Sequence, residues 1–128
     1  MSKAKLSKKL DAVFSKYIRW YYADYKGYVE CYTCGIQKPV KEMQNGHFQS
    51  RRHYATRWKE NNCRPQCVKC NMFEQGQQFE FGQKLISDIG EEKVNEIIQL
   101  SRTSVKMSEQ EYKTLINYYT LKLKELTI

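Results

Sequence analysis

The sequence predicts a small α+β domain in which short strands and turns surround two cysteine pairs, with helices flanking them on both sides. Three observations carry that expectation. The pairs Cys31-Tyr32-Thr33-Cys34 and Cys67-Val68-Lys69-Cys70 are two knuckle-like C-x-x-C motifs. Apolar residues recur at helical spacing before and after them. Between them, Pro39 and Gly46 interrupt any helical pattern. At 128 residues the chain is expected to form a single domain, residues 1–128.

The elements follow in order. Leu6 to Tyr22 places apolar residues at 6, 10, 13, 14, 17, 18 and 21, one face of a helix, with Lys8, Lys9, Lys16 and Arg19 on the other. Residues 1–26 are therefore read as a basic N-terminal helix. Tyr21, Tyr22, Tyr25, Tyr28 and Tyr32 follow closely, as stacking groups or as packing beside a small core. Residues 27–81 form the core unit, and Val40–Phe48 is expected to contribute to a hairpin. Residues 82–128 are helical. The stripe Phe79, Gly82, Leu85, Ile86 and Ile89 is ended by Gly90, and Val94, Ile97 and Ile98 mark a short helix. Ser108-Glu109-Gln110-Glu111 is a capping box opening a last helix with Tyr112, Leu115, Ile116, Tyr119, Leu123 and Leu126 on its buried face. These near-neutral helices read as structural and offer a surface for a homodimer.

Hydrophobic residues make up 41% and charged residues 28%, the balance of a folded, water-soluble chain. No apolar run approaches the roughly 20 residues of a membrane helix. No apolar signal core follows the basic start, so an intracellular, cytoplasmic protein off the membrane is expected. The net charge is +8, but residues 88–128 hold six Lys/Arg against seven Asp/Glu, leaving +9 on residues 1–87. Between Gln49 and Cys70, Arg51, Arg52, Arg57, Lys59, Arg64 and Lys69 face one acid, Glu60. Such concentration suits a polyphosphate partner and is also found on ordinary basic surfaces.

Five cysteines without an export signal argue against a disulfide scaffold. A redox pair would need only one C-x-x-C, in a βαβ context that is absent. Two pairs match a tetrahedral structural zinc site held by Cys31, Cys34, Cys67 and Cys70, and Gly35 suits the knuckle turn. Cys63 is left over and reads as a small apolar core residue.

The stretch between the knuckles holds both histidines, His47 and His53, and Asn62; Asn71 follows Cys70 directly. The order is C-x-x-C, His, Asn, C-x-x-C-Asn. A phosphodiester-cleaving site needs a neutral imidazole to take a proton from water. It also needs a divalent metal on the scissile phosphate, and a scaffold that sets the two on opposite sides. A zinc-locked strand facing a helix provides one, and the expected architecture is a treble-clef-like zinc core holding a ββα unit.

Gly46-His47-Phe48-Gln49-Ser50-Arg51-Arg52-His53, Ala55-Thr56-Arg57 and Gln66-Cys67-x-x-Cys70-Asn71 together resemble the phage NinG (Rap) family of recombination endonucleases. Leu10-Asp11-x-Val13-Phe14-Ser15-x-Tyr17-Ile18-Arg19 and Gly27-Tyr28-Val29-x-Cys31 extend the resemblance, which runs from about Leu10 to Phe81. The knuckle-plus-Asn pattern is also similar to the phage endonuclease VII resolvases. The resemblance implies a His-Me finger (HNH, ββα-metal) endonuclease that acts on branched recombination intermediates, D-loops and Holliday junctions, inside a bacterial host and alongside recombination proteins. It implies His47 as general base, Asn62 as brace of the loop carrying that base, and Asn71 as ligand of a catalytic magnesium for which manganese substitutes. Without the resemblance, His47 reads as a hydrogen-bonded structural residue, Asn62 as an Asx turn and Asn71 as a helix N-cap. Most such sites carry an acid or a second His just before the base; here Gly46 stands there. The missing ligand is sought in Glu80 and His53, ahead of Glu74 and Gln75 on the helix expected after Asn71; His53 is also a candidate phosphate contact. Arg51, Arg52 and Arg57, with Lys69, are expected to bind DNA phosphates.

The main alternative is a non-catalytic, zinc-dependent nucleic-acid-binding module. A zinc-stapled protein adaptor and a sequence-specific homing or restriction enzyme are further rivals, the last short of room for a separate recognition domain.

Overall fold

The computed structural model describes residues 1–127. Its elements are α1 (Lys3–Tyr21), β1 (Tyr28–Glu30), β2 (Gln37–Pro39), β3 (Met43–His47), α2 (Tyr54–Arg57), β4 (Cys63–Cys67), α3 (Gln78–Ile89), α4 (Glu91–Ser101) and α5 (Glu109–Leu126). The α+β class is as expected, and the core falls into three packed clusters.

The first joins the two ends of the chain. The α1 helix starts three residues before the periodicity suggests, because Ser2 caps it by accepting from the Lys5 amide (3.2 Å). Its apolar face, Leu6, Leu10, Phe14, Tyr17 and Ile18, packs against Tyr112, Ile116 and Tyr119 of α5. The capping box forms with a difference: Ser108 accepts from the Glu111 amide (3.1 Å), and the Glu111 carboxylate accepts from the Ser108 hydroxyl instead of from its amide. Glu60 fastens both helices to the central loop by accepting from the Tyr17 and Tyr119 hydroxyls (3.4 and 3.0 Å). Burial, reinforced by that carboxylate, pushes the Tyr17 phenol up to about 12. The first part of the α5 stripe, Tyr112 to Tyr119, is thus covered by α1 within one chain, whereas Leu126, expected on the buried face, is exposed because it lies beyond that contact. Arg19, expected on the basic face, instead donates to the Val40 carbonyl (3.0 Å) and ties α1 to the strands.

The second cluster surrounds the cysteines. Strands β1 and β2 pair antiparallel, Tyr28 opposite Pro39. Strand β3 pairs antiparallel with β4 from Met43–Cys67 to His47–Cys63. The hairpin expected over residues 40–48 is therefore closed by a strand that returns only after residues 48–62. Pro65 fits inside β4 because it lies opposite Asn45 at a position whose backbone faces away from β3; its carbonyl accepts from the Tyr32 amide (2.8 Å).

The third cluster sets α3 and α4 on the loop after β3, through Phe48, Phe81, Leu85, Val94 and Ile97. Gly82 allows that approach, since a Cβ there would lie 2.9 Å from the Phe48 ring. Gly90 ends α3 with φ +93°.

One expectation is corrected. The chain after Asn71 is not one helix. A single wide helical turn, Lys69–Phe73, is followed by three left-handed residues, Gln75, Gly76 and Gln77, before α3 opens at Gln78. The break is held by the Gln66 side-chain amide, which donates to the Gly76 carbonyl (2.8 Å). Glu74 and Gln75 therefore lie in a loop, and Glu80 belongs to a separate helix.

Candidate functional site

The four knuckle cysteines converge. Their sulfur atoms all lie within 4.8 Å of one another. Cys31 directly follows β1, and its carbonyl accepts from Gly35 (3.0 Å) in a turn that needs φ +82° at that glycine. Cys67 ends β4 and accepts from the Cys70 amide (3.5 Å). Cys34 and Cys67 sulfurs are 3.7 Å apart. Thiolates about 2.3 Å from a tetrahedral zinc are separated by about 3.8 Å, so the set fits one structural zinc ion. Burial opposes ionisation of Cys31, yet the amides of Cys34 and Cys67 and the Thr33 hydroxyl hold its thiol down at about 6. Burial pushes Cys70 up to about 12. A dication there would supply the countercharge that four thiolates require. Cys63 is fully buried in the α1–α5 core, as its residue type suggested.

A cleft of about 560 Å³ runs along β3, between α1 and the turn after β4. His47 and Asn71 line it together, with Asp11, Gln44, Arg51 and Gln75. The Nε2 of His47 lies 2.9 Å from the Arg57 carbonyl. A carbonyl only accepts, so Nε2 carries the proton and Nδ1 is left as the basic nitrogen. Burial first, and the nearby Arg51 and Arg57 charges, lower the His47 pKa below the ordinary 6.5. The imidazole is therefore neutral at neutral pH.

Asn62 is fully buried and braces the connection between β3 and β4. It accepts from the Gln49 amide (2.7 Å) and donates to the Gln49 and Thr56 carbonyls (3.0 and 3.1 Å). Asn71 donates to Gln44 Oε1 (2.8 Å), which leaves its own Oδ1 free.

Gly46 has a steric reason. A Cβ there would lie 2.0 Å from Gln66 Oε1, and Gln66 is fully buried with its amide nitrogen held by Thr33 Oγ1 (3.0 Å) and Gly76. The Gln66 side chain occupies the volume that a residue-46 ligand would need. Sequence reading missed this, because Gln66 lies across the β ribbon.

Asp11 was also missed as a site residue. Its carboxylate accepts from Arg57 through two nitrogens, from Trp58 Nε1 (2.9 Å) and from Arg51 (3.1 Å). It is the one acid of α1, set beside the apolar stripe, and that was its available signal. The basic loop is correspondingly divided. The Arg57 side chain is 12% exposed and packed on the Tyr54 and Trp58 rings, so it is engaged internally and not open to phosphate as expected. Arg64 is buried, stacked on Tyr22 and Tyr32 and donating to the Cys63 carbonyl (2.7 Å). Arg51, Arg52, Lys59 and Lys69 are exposed. Lys69 lies 3.9 Å from Glu74.

Neither remaining magnesium candidate lines the cleft. Glu80 is exposed in the first turn of α3. His53 lines a different recess, with Arg52 Nε 3.5 Å from its Nε2. Magnesium is usually held by one or two carboxylates plus substrate phosphate. Among the described residues the only carboxylate lining this cleft, Asp11, is already shared by two arginines and a tryptophan. The protein's donors do not by themselves make a magnesium site.

Fold and centre define a small α+β protein stapled by a four-cysteine cluster, with a histidine-bearing cleft beside it. No helix among the described residues is long and apolar enough to cross a membrane. The chain belongs to the family described as bacteriophage lambda NinG protein, whose model matches residues 1–128. No curated protein and no solved structure matches it.

Proposed function

We propose that the chain is a structure-selective DNA endonuclease of the His-Me finger type, hydrolysing phosphodiester bonds in branched recombination intermediates such as D-loops and Holliday junctions. Family membership supports a role in phage recombination. The observation that carries the chemistry is His47: neutral, oriented through Nε2 by the Arg57 carbonyl, and sharing a cleft with Asn71. Water gives its proton to His47 Nδ1 as its oxygen bonds to phosphorus. The P–O3′ bond breaks in line, the leaving 3′ oxygen takes a proton from solvent, and the products are a 5′ phosphate and a 3′ hydroxyl. General-base catalysis of this kind contributes about 10²–10⁴-fold. Arg51, exposed at the cleft rim, pairs with a backbone phosphate. A zinc ion held by Cys31, Cys34, Cys67 and Cys70 would tie the residue after β1 to the end of β4, the strand that pairs with β3 and so positions His47. Any divalent cation used in the reaction would have to draw most of its ligands from water and the DNA phosphate.

The thin magnesium donor set favours a second reading, a zinc-dependent module that binds branched DNA without cutting it. Labelled linear duplex, single strand, D-loop and four-way junction, incubated with Mg²⁺ and either wild type or His47→Ala, separate the two. Cutting by wild type alone supports the nuclease. Binding without cutting by either protein leaves the module.

A further inference from the structure

A second recess, of about 480 Å³, lies where the Arg52–Tyr54 segment meets the end of α4. Arg52, His53 and Arg102 line it, with Ser101, Thr103 and Ser104. Among the described residues no acid lines it, and neither Arg52 nor Arg102 has a carboxylate partner. The contrast with the neighbouring arginines is informative. Arg51 and Arg57 share Asp11, whereas Arg52 and Arg102 face one recess with their charge unmatched.

The hydroxyls do not answer that charge. Ser101 donates to the Ile98 carbonyl (2.6 Å) and Thr103 to the Leu100 carbonyl (2.7 Å). Arg52 Nε donates to His53 Nε2 (3.5 Å), so the donors left to a ligand are the Arg52 terminal nitrogens, the Arg102 guanidinium and the other His53 ring nitrogen, beside the Tyr54 and Ser104 hydroxyls, a set that suits an anion with several acceptor oxygens. The recess is also placed with respect to the cleft. Ser50 and Arg51 line the His47 cleft, and the next two residues, Arg52 and His53, line this one. Residues 50–53 form a turn, with the His53 amide donating to the Ser50 carbonyl (3.0 Å), so the two recesses adjoin.

We infer that Arg52, His53 and Arg102 form a second phosphate subsite, which holds the backbone of the same DNA strand to one side of the cleaved bond. This rests on the nuclease reading for the placement of DNA. It gives His53 a role at phosphate and brings in Arg102, the residue that follows α4.

The test is the salt dependence of four-way-junction binding by the full-length zinc protein without added Mg²⁺, comparing wild type, Arg102→Gln, Arg52→Gln and, as a charge control at the other end of α4, Lys93→Gln. Loss of one phosphate contact lowers the slope of log K against log salt by about one. Arg102→Gln and Arg52→Gln should each show that drop with several-fold weaker binding, and Lys93→Gln should match wild type. Neutral methylphosphonate linkages beside the cleavage position should remove the difference between wild type and Arg102→Gln, which marks the ligand as DNA backbone and not free phosphate. Salt-sensitive wild-type binding with an unchanged slope in both arginine variants overturns the subsite alone. Wild type without salt-sensitive DNA affinity overturns the subsite and the nuclease reading together.

Discussion

The Nε2 of His47 lies 2.9 Å from the carbonyl oxygen of Arg57, and the guanidinium of Arg57 is clamped by Asp11 from α1. The orientation of one imidazole thus depends on an ion pair between residues 46 positions apart. Removing the clamp should be costly. Asp11→Ala strands a guanidinium that is 12% exposed, and breaking such a pair costs roughly 3 kcal/mol. Urea denaturation should show that loss, while Arg51→Ala, at an exposed side chain, should stay within about 0.5 kcal/mol of wild type and weaken DNA binding instead. Equal destabilisation by both would contradict the division of roles.

Acid should silence the site late. Because the His47 pKa is lowered in the fold, the imidazole stays neutral as pH falls through the ordinary value of 6.5. The pH–rate profile should hold its plateau to below 6.5 and then fall. The sign for stability is the same: the unfolded chain takes up the proton first, so this contribution is full above 6.5 and is lost as pH drops below it. An acid limb centred above 6.5 would contradict a buried base.

Zinc removal should unfold one part of the molecule more than the rest. The cysteines lie in a cluster with Val29, Val40 and Met43, apart from the α1–α5 core. A chelator should therefore abolish cleavage and hydrogen-exchange protection over residues 28–47 and 64–76, while protection in the α1–α5 core, which includes Trp58 and Cys63, and much of the helical circular dichroism persist. Full retention of activity in a zinc-free protein would remove the structural role assigned to the metal.

Gly46 should tolerate no side chain unless Gln66 yields. Gly46→Ala puts a Cβ 2.0 Å from Gln66 Oε1, and overpacking of this kind costs about 1–3 kcal/mol. Gln66→Ala in the same protein should recover part of that loss, as a double-mutant cycle would reveal. Additive losses would mean the two side chains do not compete for one volume.

The helices and the cysteine cluster were legible in the sequence because their signals are local. The stripe Leu6, Leu10, Phe14 and Tyr17 specifies α1, the Ser108 cap opens α5, and C-x-x-C spacing specifies each knuckle. The features that shape the cleft are not local. Asp11 reads as one acid on a lysine-rich helix until the fold brings Arg57 to it. Gly46 reads as a missing ligand until Gln66 fills its place from the facing strand. The break after Asn71 was hidden because two of its three left-handed residues are glutamines, which carry no turn signature. The basic loop misled in the opposite direction: charge in the sequence does not distinguish Arg64, buried between two tyrosines, from Arg52, which is exposed.

The most direct measurement is cleavage of a labelled four-way junction in Mg²⁺ by wild type and His47→Ala, each confirmed to carry zinc and to bind the junction. The account predicts 5′-phosphate products from wild type and a loss of at least about 100-fold in the variant at unchanged junction affinity. Equal cutting by the two proteins, or none by either, would contradict it.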